Sequence, residues 1–252
     1  MAAALGADPE LVGLPRRARR RIAELHLGAT PLTPDVQIDF THVLRFYYDD
    51  RVIPAIVLAA GRSSRMGRPK ATLPLEGGDT FVTRIVRTFA AAGISDVIIV
   101  VGHDADAVID AFARTDLSAT FVENPDYEQG QLSSLLAGLR VVDRPGVVAT
   151  LLTLVDVPLI GVSTVRADVD RYLATHAPIV RPVRGADGAE HGHPVLIDRS
   201  LFDALRHADP REGAKAVVRS HASAAGDVTV DDVGAFADAD TPVEYERLRA
   251  IE

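Results

Sequence analysis

Three strongly apolar runs, Ile53–Ala59, Val97–Val101 and Val147–Val155, are separated by stretches with helical spacing. Strands written in Val, Ile, Leu and Ala without polar alternation are buried on both faces, the condition of a parallel strand between two helical layers. The intervening segments fit that frame. Phe81–Ala92 has helical periodicity and stops at Gly93; Ala105–Phe112 and Leu132–Val142 read as helices, and Thr120–Val122 as a short strand. Ser163–Thr175 reads as a helix that opens on a capping serine. Ile179–Val183 and Pro194–Ile197 flank a Gly- and Asp-containing turn and predict a hairpin. Short helices follow near Ser200–Leu205 and Gly213–Ser220, then a strand at Val228–Val230 and a closing helix at Thr241–Ala250. The order predicts a three-layer α/β/α domain with a mostly parallel, Rossmann-like sheet over residues 51–252. Ligands of such sheets bind beyond the carboxyl ends of the strands.

Residues 1–50 read as a separate, partly helical extension. Its Pro15-Arg16-Arg17-Ala18-Arg19-Arg20-Arg21 run is either a solvated helix face or a site for an anionic partner. Phe40–Tyr48 is rich in aromatic and aliphatic residues and predicts packing on the main domain.

Composition narrows the chemistry. The chain has no cysteine, which removes disulfides, thiolate metal sites and cysteine nucleophiles. A net charge of −8 argues against general nucleic-acid binding. No apolar run is long enough for a membrane span, and no secretory signal opens the chain, so the expected compartment is the cytoplasm.

The sharpest motif follows directly on the first strand: Leu58-Ala59-Ala60-Gly61-Arg62-Ser63-Ser64-Arg65-Met66-Gly67-Arg68-Pro69-Lys70. Its glycines let the backbone turn and approach a ligand, and successive backbone N–H groups in such a loop form an anion-binding concavity. Arg62, Arg65, Arg68 and Lys70 add four positive charges, which predicts a locally positive field on an acidic protein. The Walker loop, the dinucleotide fingerprint and the nucleophile elbow all fail on spacing here.

This loop resembles the Leu-Ala-(Ala/Gly)-Gly-x-Ser-x-Arg-Met-Gly-x-x-Lys signature of the MobA-like nucleotidyltransferases, and the likeness runs over residues 53–250. Within that family it is most similar to the molybdenum cofactor cytidylyltransferases. The resemblance implies nucleotide contacts from Leu58, Ala59, Ala60, Gly61, Ser63, Arg65 and Lys70. Leu58-Ala59-Ala60-Gly61 implies CTP, since Leu-Ala-Gly-Gly accompanies GTP in the family. It also implies molybdenum-molybdopterin as acceptor and a molybdenum hydroxylase apoenzyme as receiving partner.

The acidic positions follow the same logic. Nucleotidyl transfer needs a divalent cation, and Mg2+ takes oxygen ligands from one or two carboxylates plus phosphate and water. Asp156 ends the third buried strand, where an unpaired carboxylate is costly unless it has a task. It is the expected metal ligand and, with Arg65 and Lys70, forms the expected catalytic set. Its Asp156-Val157-Pro158 context departs from the family's Asp-Gln-Pro or Asp-Met-Pro. Phe236-Ala237-Asp238-Ala239-Asp240-Thr241-Pro242 resembles the family's Asp-x-Asp-Thr-Pro segment, which implies Asp238 as second metal ligand. Asp240 reads as the cap of a helix with Pro242 in its first turn.

Asn124-Pro125-Asp126-Tyr127-Glu128-Gln129-Gly130-Gln131-Leu132-Ser133-Ser134 joins a strand to a helix start, where N–H groups meet anions. It resembles the family's Asn-Pro-x-(Tyr/Trp)-x-x-Gly-x-x-x-Ser segment. That implies nucleotide contacts from Gly130 and Ser133 and substrate contacts from Asn124, Gln131 and Ser134. His193 and Pro194, in His191-Gly192-His193-Pro194-Val195, resemble the family's substrate-side Gly-(His/Asn)-Pro-Val. His191 and His193 lack a third ligand at useful spacing, so a metal site of their own is not expected. His103 reads as a strand-end polar residue, and Lys215 as either an anion contact or a solvated lysine. Two rivals share the fold: a nucleotidyltransferase for another phosphorylated small molecule, and a non-catalytic cofactor-delivery or redox member.

Overall fold

The computed structural model describes residues 51–185 and 190–251. The extension, with its arginine run and its Phe40–Tyr48 segment, and the predicted turn at 186–189 lie outside the described residues.

Eight strands form one sheet: β1 (Ala55–Leu58), β2 (Val97–Val101), β3 (Thr120–Glu123), β4 (Ala149–Leu154), β5 (Ile179–Arg184), β6 (Glu190–His191), β7 (Val195–Asp198) and β8 (Asp227–Thr229). The path runs β3-β2-β1-β4-β7-β5-β6, and β8 pairs with β5. β3, β2, β1 and β4 are parallel neighbours, whereas β7 lies antiparallel to both β4 and β5. The helices are α1 (Phe81–Ala92), α2 (Ala105–Phe112), α3 (Gln131–Val142), α4 (Val162–Thr175), α5 (Phe202–Arg206), α6 (Ala214–His221) and α7 (Pro242–Ala250).

Burial on both faces follows from the strand composition. Along β1, Ala55 and Val57 enter one core with Phe81, Ile85 and Phe89 of α1 and Val165 of α4. Ile56 and Leu58 enter the other, with Leu135 and Leu139 of α3 and Phe202 of α5. The period of two thus divides one apolar run between two helical layers. On the second face Gly138 lets α3 close onto the sheet, because a Cβ there would stand 2.8 Å from Ile56 Cγ2.

Local signals set most boundaries. Thr80 and Thr83 form a reciprocal cap that starts α1, and Gly93 ends it at φ 97°. Three expectations need correction. α4 begins at Val162 with Gly161 as its cap residue, and Ser163 does not cap it. Asp232 meets two donors there, accepting from Gly161 N–H at 2.8 Å and from the Thr164 hydroxyl at 2.5 Å. Asp240 does not cap α7 either. Thr241 does, in a reciprocal box with Glu244, and the Asp240 carboxylate points elsewhere. The expected hairpin is also more elaborate. β7 pairs with Ile179 and Val180, while the short β6 pairs with Val183 and Arg184.

The strand order reverses between β1 and β4, which lie side by side with Leu58 opposite Leu154. Chains leaving these two strand ends diverge, and the crevice between them is where such folds bind ligands.

Candidate active site

A cleft of about 360 Å³ opens at that crevice. Its floor is Leu58–Gly61 from β1 and Leu154, Val155 and Asp156 from β4. Ser63, Ser64, Arg65 and Lys70 line it from the basic loop, and Tyr127, Gly130, Gln131 and Ser134 from the segment before and into α3. Asp240 lines it from the segment before α7.

The basic loop is a folded turn. Ala59 N–H reaches Val100 O at 2.8 Å, prolonging the β1–β2 pairing by one bond. Ser63 turns the chain at φ 50°, a conformation that costs a non-glycine residue energy and needs support from its surroundings. That support is visible: Met66 N–H donates to Ser63 O at 2.8 Å, and Lys70 N–H donates to Ser63 Oγ at 3.0 Å. The hydroxyl therefore ties the two ends of the loop and fixes where the Lys70 side chain begins.

The four loop cations divide into two pairs. Arg62 reaches out to Glu128, and Arg68 donates to Thr72 O at 2.9 Å. Neither Arg68 nor Arg62 lines the cleft; Arg65 and Lys70 do. Lys70 is moreover paired. Its Nζ lies 3.1 Å from Asp156 Oδ2 and also contacts Asp240 Oδ1. The uniformly positive field expected from the sequence is therefore replaced by a compact acid–lysine–acid cluster. Burial draws the Lys70 ammonium down, but the Asp240 hydrogen bond and the Asp156 charge outweigh it and hold the pKa above its usual value. The Lys70 hydrogen bond correspondingly holds Asp240 below the usual carboxylate range.

Asp156 is reached by chain geometry. Val155 N–H pairs with Leu58 O at 3.1 Å, which keeps β4 beside β1 to its end. Ala239 N–H donates to Asp156 O at 3.0 Å, so the acidic C-terminal segment is pinned by backbone to the residue it serves. One Asp156 oxygen takes Lys70; the other, Oδ1, is buried without a hydrogen-bond partner. A buried carboxylate oxygen left unpaired is costly, and a hard cation would satisfy it. The donor set therefore fits the implied Mg2+. Among the described residues no three His, Cys, Asp or Glu side chains converge on a metal-sized point. Asp238 is exposed and does not line the cleft. Its carboxyl is pushed above the usual range, first by the protein packed against one side of it and then by the charges of Asp156 and Asp240.

The other predicted residues separate into contact and support. Gly130 adopts φ 102° and ψ 178°, a region open essentially to glycine, and turns the chain into α3 so that Gln131 and Ser134 reach the cleft. Asn124 is buried and fully engaged: its Nδ2 donates to Ser133 Oγ at 2.9 Å and Ser134 Oγ at 3.0 Å, and its Oδ1 accepts from Asp126 N–H at 3.1 Å. Ser133 Oγ also bonds Gly130 O at 2.8 Å. Asn124 and Ser133 thus hold the loop and do not line the cleft. His193 and Pro194 do not line it either. His193 Nδ1 lies 3.5 Å from Leu152 O, and burial lowers its pKa, which favours the neutral ring. His103 stands against Asp104 and the Tyr127 ring. Lys215 is exposed on α6.

Among the cleft residues that the sequence reading passed over are Tyr127 and Asp240. The first sits inside a quoted motif, and the second was assigned to a cap. Only the long-range pairing through Lys70 separates the roles of Asp238 and Asp240.

Comparison with known proteins bears on the family and the fold. The model of the MobA-like NTP transferase domain matches residues 55–225. Nicotine blue oxidoreductase of Paenarthrobacter nicotinovorans is 32% identical over 209 residues, covering 78% of this chain and 96% of that protein. Molybdenum cofactor cytidylyltransferase of Escherichia coli K12 is 29% identical over 195 residues, covering 77% of this chain and 93% of its own. The crystal structure of Rv0371c of Mycobacterium tuberculosis H37Rv complexed with manganese superposes with a TM-score of 0.63 at 30% identity, covering 79% of this chain and 98% of that one.

Proposed function

The chain belongs to the MobA-like NTP transferase family and is a nucleotidyltransferase, and on that premise we propose that it transfers CMP from CTP to molybdenum-molybdopterin with release of pyrophosphate. The observation that carries the reading is the meeting of Lys70 with Asp156 in the cleft at the β1/β4 switch, beneath a loop built to hold phosphate.

The chemistry asks little of a general base. A phosphate monoester has its second pKa near about 6 and is largely ionised at neutral pH. Its oxygen forms a new bond to the α-phosphorus of the nucleotide as the bond to the bridging oxygen breaks, and the electron pair leaves with pyrophosphate. The protein's part is positioning and charge neutralisation. Ala60, Gly61, Ser63, Ser64 and Arg65 line the cleft, and their backbone N–H groups are the proposed donors to the triphosphate. Arg65 and Lys70 balance its charge, and Tyr127 and Gln131 wall the acceptor side. Asp156 would hold the divalent cation, for which Mg2+ is the proposed species, with the carboxylate oxygen that lacks a partner. Asp240, which Lys70 joins to Asp156, is the better placed second carboxylate, ahead of Asp238. When bound, the cation would supply positive charge against the phosphates. CTP over GTP rests on Ala60 in the Leu-Ala-Ala-Gly run. His193 and Pro194 are assigned to the pterin side. Cytoplasmic location and hand-over to a molybdenum hydroxylase apoenzyme belong to the same proposal, as does the division into an extension over 1–50 and a catalytic domain over 51–252.

The test is a nucleotide panel of ATP, CTP, GTP and UTP with Mg2+ and loaded molybdopterin, scored for pyrophosphate and for the dinucleotide product. Cytidine dinucleotide is expected; pyrophosphate only with a different acceptor points to another phosphorylated small molecule. A second reading, redox chemistry on the same scaffold, draws on the 32% identity to nicotine blue oxidoreductase. It predicts substrate reduction with no pyrophosphate under any nucleotide.

A further inference from the structure

We propose that the Lys70 ammonium and a divalent cation are mutually exclusive partners of Asp156 and Asp240, so that Lys70 acts as the site's built-in counter-ion and is released toward an anionic ligand only as a cation enters. The proposal rests on the nucleotidyltransferase reading for the kind of ligands involved and goes beyond it in assigning Lys70 a second task.

Four observations support it. Lys70 Nζ is shared between carboxylates from two distant segments, at 3.1 Å from Asp156 Oδ2 and in contact with Asp240 Oδ1. It thus stands where a small cation would best balance both. Asp156 keeps one buried oxygen without a partner, so a dication that met it would share a carboxyl group with the ammonium, and the two positive charges repel. The Lys70 backbone is fixed at both ends: its N–H donates to Ser63 Oγ at 3.0 Å, and its carbonyl accepts from Leu73 N–H at 3.0 Å. Relief therefore comes from rotation of the four-carbon side chain alone, and that side chain already lies in the cleft lining beside Ser63 and Arg65. Finally, Arg62 and Arg68 of the same loop are engaged with Glu128 and Thr72 O and cannot replace Lys70 between the acids without breaking those contacts.

The consequence is a lysine that weakens cation binding by the protein alone. Full-length wild type, Lys70→Met, Lys70→Gln and Lys70→Arg are titrated with Mn2+ in the absence of nucleotide, with unbound Mn2+ followed by its EPR signal. The Met and Gln variants are expected to bind Mn2+ about tenfold more tightly than wild type, within the usual span of coupling between sites. Lys70→Arg keeps the charge and is expected to stay near wild type, which separates charge from packing. Asp156→Asn is expected to lose the binding. Unchanged or weaker Mn2+ affinity in folded Lys70→Met and Lys70→Gln overturns the proposal, as does tightening by Lys70→Arg to the same degree. Retention of tight Mn2+ binding by Asp156→Asn overturns it too, because the cation then sits elsewhere. The nucleotidyltransferase reading is judged separately by pyrophosphate release. Tighter Mn2+ binding without turnover on any nucleotide leaves the counter-ion and removes that reading, and turnover with unmoved Mn2+ affinity does the reverse.

Discussion

Asp232 reaches back to Thr164, accepting its hydroxyl hydrogen at 2.5 Å across 68 residues. The same carboxylate oxygen takes Gly161 N–H, and its other oxygen takes Gly234 N–H at 3.0 Å. One side chain therefore caps α4 and shapes the turn that leads to the acidic segment. Replacing a cap side chain costs about 0.5–2 kcal/mol, and a buried donor left unpaired costs about 1–3 kcal/mol. Asp232→Ala is expected to lose stability within that range in urea unfolding. Its kcat should stay close to wild type, because the residue does not line the cleft. A large fall in kcat with unchanged stability would contradict this assignment.

Asn124 spends its amide on Ser133, Ser134 and the Asp126 backbone. With those bonds gone the loop before α3 loses its internal frame, and Gln131 and Ser134 lose their fixed places at the cleft. Asn124→Ala is expected to raise KM for nucleotide or acceptor several-fold and to lower stability by about 1–3 kcal/mol. Direct substrate contact by Asn124 would instead show as a fall in affinity with the melting temperature unmoved.

Much of the fold was legible because the strands are apolar on both faces and the helices carry their own stops. Gly93 and the Thr80–Thr83 pair are signals contained within a few residues. The cleft floor was legible for the same reason, since the loop follows the first strand directly. What could not be read were relationships between distant segments. Asp232 as the cap of α4, Lys70 as the partner of Asp156 and Asp240, and the engagement of Arg62 with Glu128 have no local sequence mark. Composition counted four loop cations as one field, whereas chain geometry sends Arg62 and Arg68 away from the cleft. Asn124 and Ser133 show the complement: they stand in a motif next to the cleft, and their polar atoms hold together the loop that borders it.

Lys70 and Asp156 are expected to matter for rate. Loss of one preorganised charge contact in a site of this kind commonly costs about 10²–10³ in kcat. Lys70→Ala and Asp156→Ala are each expected to fall by at least that much in pyrophosphate release while retaining the wild-type far-UV CD spectrum. The double variant should fall further than either alone, because in the loaded site Lys70 serves the phosphates and Asp156 the cation. A double variant no worse than either single one would show that the two act through their mutual contact. Wild-type turnover in either single variant would remove the assignment.

Asp168 lies on the inner face of α4, fully buried, with both carboxylate oxygens lacking a hydrogen-bond partner. Burial pushes its carboxyl up to about 8, far above the ordinary 3.8. A carboxyl raised in the folded state binds its proton there while the unfolded chain has already lost it. Its contribution to stability is therefore fully present below about pH 4 and declines as pH rises, until the folded group ionises near pH 8. The decline is about 1.4 kcal/mol per pH unit across that window. Asp168→Asn keeps the shape and removes the titration. Urea unfolding of wild type and Asp168→Asn at pH 5, 6, 7 and 8 is expected to show similar stability at the acid end. A growing advantage for the variant should follow, reaching up to about 4 kcal/mol at pH 8. Every other titrating group is common to both proteins and drops out of the difference. Parallel stability curves would mean that Asp168 ionises as freely in the folded protein as in the unfolded chain, and that its burial in the core of α4 is not as described.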